Sequence, residues 1–340
     1  MVRQRKADIK TVAKMAGVSI ATVSRALKNP ELVSKKNLEK VRDAVSKSGY
    51  TPNKAGRMLR TQRSGNALVI FPDITRPFNS GIIHGIENVA HEVGYSLLLS
   101  ATRDQKSREI ACTNTIFSGQ ADGMILLCPR LPFDAEGFPN KNLPPLVNVS
   151  EPVEKADFPR VLIDNISAAT LAVNHLIDLG HKNIAIITGN VTDPSGRDRL
   201  EGYKAALLNA GFKVNPDYIQ YGNYSPESGM NCAHRLLQQK PRPTAIFCCD
   251  DEMAIAAMLA ARSLRISVPE DLSLVGFDDI WCSEYQSPPL TTVRQPVVKM
   301  GELAMQLLYD LMNDKPSTQD TVYLPVELVV RESTCPPKRG

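Results

Sequence analysis

The sequence predicts an α/β protein that begins with a small all-helical domain, and three observations carry that prediction. A capped helix pair joined by a glycine opens the chain, positive charge is concentrated in the first 63 residues, and from Asn66 onward apolar strand-like runs alternate with helical ones. The helix pair reads as a helix-turn-helix. The alternation means parallel sheets covered on both faces. It runs too long for one such sheet, so two doubly wound subdomains are expected.

The charge split narrows the partners. The first 63 residues carry 16 Lys and Arg against 4 Asp and Glu, while the remainder carries 24 against 32. A compact basic module on an acidic body suggests a polyanion, because phosphate neutralisation releases counterions and drives binding. An apolar fraction of 43% over 340 residues suits a globular chain with more than one core. No apolar run approaches the roughly 20 residues that span a bilayer. The charged start, Met1-Val2-Arg3-Gln4-Arg5-Lys6, leads into helices and not into a signal-type apolar stretch. A cytoplasmic protein without membrane partners is expected. Seven cysteines without a Cys-x-x-Cys argue against a disulfide framework and against a zinc site.

In chain order, Asp8 can cap a first helix with Val12, Ala13 and Ala16 inward, and Gly17 ends it. Ser19 can cap a second helix. Val23, Ala26 and Leu27 share its inner face, and Ile20, Ala21, Ser24, Arg25 and Lys28 face outward. Ser34 can cap a third, lined by Leu38, Val41 and Val45 and closed by Gly49. The basic stretch 52–63 follows. Composition favours a solvated linker there; the sharper alternative is a short helix formed on DNA with Leu59 as a minor-groove wedge.

Strands are then expected at 68–71, 95–99, 123–127, 146–149, 161–163, 184–187, 218–221, 245–248 and 272–275. Helices are expected at about 78–92, 107–118, up to Gly180, 200–209, from Glu227 and from Glu252. In such folds ligands bind outside the carboxyl ends of strands. Asp250-Asp251, Gly276-Phe277-Asp278-Asp279, Arg197 and Arg199 stand there. A lone Asp after a strand is more often a helix cap than a ligand contact. Carboxylates and arginines after successive strands suit a polyhydroxyl ligand, whose vicinal hydroxyls they can grip in pairs.

Enzyme signatures are weak. No Gly-x-Gly-x-x-Gly, Walker loop or Gly-x-Ser-x-Gly elbow appears, and none of the five histidines is spaced for a metal. No catalytic residue, metal or cofactor is assigned, and a nucleoside hydrolase or dehydrogenase is the rival enzyme reading. His181 reads as a turn residue.

These residues resemble the lac and gal repressor family of bacterial regulators. The resemblance is carried by residues 18–27, 49–53, Leu59, 180–181, 276–279, 288–293 and 295–296, and covers essentially the whole chain. Residues 72–74, 77–78, 130–135, 142–145 and 269–273 are similar to the cytidine-responsive branch.

The resemblance implies a helix-turn-helix domain at 1–51, a hinge helix at 52–65, and a two-lobed, periplasmic-binding-protein-like effector and dimerisation domain at 66–340. The N-lobe would hold about 66–163 and 294–323, the C-lobe about 164–293 and 324–340. It implies a homodimer on a palindromic double-stranded operator. Ile20, Ala21 and Arg25 would read bases, with Thr22, Ser24, Lys28, Asn53 and Arg57 in the interface and Leu59 as the wedge. Arg25 can pair with guanine, and the small apolar chains can touch a thymine methyl.

For the effector, Asp278 would accept sugar hydroxyls with Arg199 as partner, Tyr224 would stack on a base, and Asp164 would lie in the same pocket. Phe78 and Asn79 would form the other wall; Asn79 stands where nucleoside-binding relatives carry an aromatic. Arg197 and Asp250 complete the candidates. The implied function is a transcriptional repressor of nucleoside uptake and catabolism genes with cytidine as inducer, the cyclic-AMP receptor protein binding alongside. A purine- or sugar-responsive repressor is the alternative, and a solute receptor feeding a transporter the rival binding module. The C-terminus has no leucine heptads, so a dimer and not a tetramer is expected.

Overall fold

The computed structural model describes residues 7–51, 63–103, 105–132, 144–154, 158–315 and 321–338. The chain divides into two compact units, Met1–Ser64 and Gly65–Gly340.

The first unit holds α1 (Ile9–Ala16), α2 (Ile20–Lys28) and α3 (Lys35–Ser48), with a short 3₁₀ turn at Pro30–Leu32. Asp8 accepts from the Thr11 N–H at 2.8 Å, and Ser19 from the Thr22 N–H at 3.1 Å, so both caps form. Gly17 takes a φ of 64°, a left-handed turn that costs glycine little. Val12, Ala13, Ala16, Val23, Ala26, Val41 and Ala44 make the core.

Two expectations fail here. Leu27 is 39% exposed, because it lies one position further round α2 than Ala26 and the core of small residues closes without it. Ser34 makes no side-chain cap; the Asn37 N–H that its hydroxyl would have satisfied donates to the Ser34 backbone carbonyl at 3.0 Å.

The second unit contains two six-stranded sheets. In chain order its elements are β1 (Asn66–Phe71), α4 (Pro77–Glu92), β2 (Ser96–Ala101), α5 (Lys106–Phe117), β3 (Gly123–Leu126), β4 (Leu146–Val149), β5 (Arg160–Leu162), α6 (Asn165–Asp178), β6 (Ile184–Thr188) and α7 (Pro194–Asn209). There follow β7 (Ile219–Tyr221), α8 (Pro226–Leu237), β8 (Ala245–Cys248), α9 (Asp251–Ser263), β9 (Ser273–Asp278), β10 (Thr291–Arg294), α10 (Val297–Met312), β11 (Thr321–Tyr323) and β12 (Glu327–Val329). The first sheet runs β11-β5-β4-β3-β1-β2 with every pairing parallel. The second runs β12-β10-β9-β8-β6-β7, parallel except where β12 meets β10. The buried apolar strands β3, β4, β6 and β8 need cover on both faces, and the helices between them supply it.

The α/β class with two parallel sheets is the one expected. Three details differ. Helix α7 starts at Pro194, where proline suits a first turn, six residues before the expected start. Beyond β9 the sequence pattern predicts no element, yet α10 returns to the first lobe and packs on α4, with Gly301 against the Ile82 carbonyl. His181 is no loose turn residue. It is buried, with Nδ1 at 2.9 Å from the Thr244 hydroxyl and Nε2 at 2.9 Å from the Cys335 carbonyl. It thereby pins the C-terminal segment to the second lobe.

Candidate DNA-reading helix and effector cleft

Helix α2 presents its polar and basic side outward. Ile20 is 45% exposed, Ala21, Arg25 and Lys28 are exposed, and Thr22 and Ser24 are half-buried. Exposure on a capped helix anchored by Val23 and Ala26 is what a groove-inserted helix requires. Asn53, Arg57 and Leu59 lie outside the described residues.

The cleft between the two lobes holds a cavity of about 240 Å³ at the carboxyl ends of the strands. Six expected effector residues line it: Phe78, Asn79, Arg199, Tyr224, Asp250 and Asp278. Arg199, on the first turns of α7, is its buried anchor. Its Nε donates to the Asn165 side-chain oxygen at 2.8 Å and an Nη to the Cys249 carbonyl at 2.5 Å. Its guanidinium lies 3.7 Å from the Phe277 ring centre, and an Nη stands 3.9 Å from Asp278. Asp278 ends β9 with a φ of 112° and accepts from the Gln295 amide at 2.7 Å. Burial pushes its carboxyl well up despite the Arg199 charge, with Asp251 and Asp250 adding to the rise.

Tyr224 follows β7 with a φ of 64°, and its hydroxyl lies 3.0 Å from the Ser195 hydroxyl. Its ring lies flush on the backbone after β6: a Cβ at Gly189 would sit 1.8 Å from the ring. Burial raises its phenol well above the ordinary value. Asp250 is both cap and lining: it accepts from the Met253 N–H at 2.7 Å, and burial pushes its carboxyl up to about 6. Asn79 donates to the Asp73 carbonyl at 2.7 Å, so its amide is tied to the wall.

Two expected residues stay out of the cavity lining. Asp164 is exposed and caps α6, accepting from the Ser167 N–H at 3.0 Å and its hydroxyl at 2.6 Å. Arg197 lies two positions from Arg199, which turns it to the other side of α7, where it pairs with Glu154 at 2.9 Å.

Sequence reasoning missed Glu151, Ser195, Arg76 and Glu252, all in the lining. Glu151 follows β4, so the strand-end rule, applied to the first lobe as it was to the second, would have found it. Its carboxyl accepts from the Ser195 N–H at 3.3 Å and from the Ser195 hydroxyl, joining the lobes; burial raises it. Arg76 bridges the other side, donating to the Asn223 carbonyl at 3.3 Å and lying over the Tyr224 ring. Glu252 is pushed up to about 7 by burial, with Asp250 adding to the rise.

Comparison with known proteins converges with this geometry. The profile of the bacterial regulatory proteins of the lacI family matches residues 8–53, and that of the periplasmic binding protein-like domain matches 173–334. The HTH-type transcriptional repressor CytR of Escherichia coli K12 is 42% identical over 98% of this chain and 97% of its own. The chain belongs to the lacI family. The HTH-type transcriptional repressor PurR of Pasteurella multocida is 33% identical over 96% of this chain and 98% of its own. A lac repressor dimer bound to operator and an anti-inducer superposes with a TM-score of 0.86 at 27% identity, over 97% of this chain and 100% of that one. As a member of the lacI family the chain is a DNA-binding transcriptional repressor and not an enzyme. LacI-family repressors bind operator DNA and small-molecule effectors and act as dimers. Among the described residues no helix is long and apolar enough to cross a membrane.

Proposed function

We propose that this repressor is released from its operators by a nucleoside, cytidine first, and controls genes of nucleoside uptake and catabolism in the cytoplasm. The observation that carries this is full-length similarity to CytR at 42% identity, joined to a cleft whose Arg199–Asp278 pair suits vicinal hydroxyls. Domains at 1–51 and 66–340 flank a hinge at 52–65. Ile20, Ala21 and Arg25 read bases, and Thr22, Ser24, Lys28, Asn53, Arg57 and Leu59 complete the contact. The adjacent exposed rings of Trp281 and Tyr285, 72% and 73% exposed, offer the second lobe an apolar patch for a homodimer. The cyclic-AMP receptor protein binds alongside on DNA.

Effector acts by binding two lobe arrangements unequally, since equal affinity would transmit nothing. The bridges Glu151–Ser195, Glu154–Arg197 and Arg76–Asn223 are the contacts a rearrangement changes. The second reading is a purine- or sugar-responsive repressor, and one observation favours its sugar-responsive form: Asn79, tied to the wall, offers no aromatic face for a base. The test is fluorescence anisotropy with a duplex that the protein selects from a random pool. Saturating cytidine is expected to weaken binding at least tenfold. Unchanged affinity with cytidine, but a shift with hypoxanthine, adenosine or ribose, would transfer the assignment to the second reading.

A further inference from the structure

The cleft is one-sided in its ionisable groups. Five carboxyl groups line the cavity, on Glu151, Asp193, Asp250, Glu252 and Asp278, against two guanidiniums, on Arg76 and Arg199. Both guanidiniums already hold partners in the protein, which take up part of their donor capacity. Arg199 is held by Asn165, the Cys249 carbonyl, Phe277 and Asp278. Arg76 is held by the Asn223 carbonyl and the Tyr224 ring. A phosphate ester brings roughly 1.5 to 2 negative charges at neutral pH, and like charges repel more strongly in a partly buried site than in water. A hydroxyl or amine, by contrast, meets hydrogen-bond acceptors on most sides.

We propose that the cleft takes an uncharged, donor-rich ligand and rejects the 5′-phosphate ester of the same molecule, with the carboxyl wall as the selecting element. This rests on the nucleoside reading for the identity of the ligand, and adds which chemical form of it carries the signal. The repressor would report the free nucleoside. Reactions that hydrolyse nucleotide phosphate esters, or that import nucleoside, supply the signal, and a nucleoside-phosphorylating reaction removes it. Burial raises the Glu151, Asp250, Glu252 and Asp278 carboxyls, so the wall gains charge, and repels an anion more strongly, as pH rises through neutrality.

The experiment is calorimetric titration of the full chain with cytidine, cytidine 5′-monophosphate and 5′-O-methylcytidine, beside ribose and ribose 5-phosphate. The methyl ether adds bulk at the 5′ position without charge, and so separates repulsion from steric exclusion. Cytidine and its ether are expected to bind within about tenfold of each other, and the monophosphate at least 100-fold more weakly. Monophosphate binding within tenfold of cytidine, or equal rejection of ether and ester, overturns the proposal. If ribose binds and neither cytidine nor ribose 5-phosphate does, the nucleoside reading falls and charge selection stands. Tight binding of ribose 5-phosphate overturns it whatever becomes of that reading, and binding by no compound overturns both. A double variant, Asp250→Asn with Glu252→Gln, keeps shape and the cap. It is expected to narrow the cytidine-to-monophosphate ratio at least tenfold; an unchanged ratio in a variant with native thermal unfolding overturns the role of the wall.

Discussion

The proposed reading helix and the proposed effector cleft are built in opposite ways. On α2 the residues assigned to bases stand exposed on a small core, and no described contact of Arg25, Lys28 or Ile20 holds the fold together. In the cleft the polar groups are buried and bonded before any ligand is considered: Arg199 alone ties α6, the end of β8 and β9 together. Specificity on the DNA side can therefore change at little cost in stability. In the cleft, a change of specificity is also a change in the fold.

The largest effect should follow Arg199→Ala. It leaves Asp278 and the Asn165 oxygen without their buried partner, and is expected to cost about 3–5 kcal/mol of stability. Effector binding should be lost with it; denaturant unfolding and calorimetry read the two. Full effector affinity in a normally stable variant would erase the contrast. On the other side, Arg25→Ala should weaken operator binding by about 1–3 kcal/mol, the range of one bidentate base contact, while stability stays within about 0.5 kcal/mol. Anisotropy and thermal unfolding check this pair, and a large stability loss would show that α2 is as tightly wired as the cleft.

The smallest effect concerns pH. Glu252 rises from 4.5 to about 7 in the folded chain, so between those values the folded state holds the extra proton. Its contribution to stability is therefore lost as pH rises through that window. Glu252→Gln should flatten this part of the stability profile, measured by unfolding between pH 5 and about 7.5. An unaltered slope would place the titration elsewhere.

Much of this was legible before the structure because period and punctuation are local. Asp8, Gly17 and Ser19 act through contacts within a few residues, and the buried strands announce themselves as apolar runs. Ser34 misled because a backbone carbonyl competed for the same N–H. Leu27 misled because periodicity gives a face but not the width of the core behind it. In the cleft, Asp250 and Asp278 were visible as strand-end carboxylates. Asp164 and Arg197 also follow strands, but Asp164 is taken up in capping α6 and the rotation of α7 carries Arg197 away. Glu151 and Ser195 meet across a separation of 44 residues, a distance no local pattern encodes.

The path of the backbone between the lobes sets a limit on how such a protein can be rebuilt. The chain passes from one sheet to the other three times, between β5 and α6, between β10 and α10, and between β11 and β12, each time within a few residues. Neither lobe is a continuous stretch of sequence. A single recombination event inside this unit would therefore join halves of lobes with unmatched cores. Exchanging one lobe for that of a relative requires cuts near 163, 295 and 325 together, whereas the DNA-reading unit can be exchanged by one cut near Ser64.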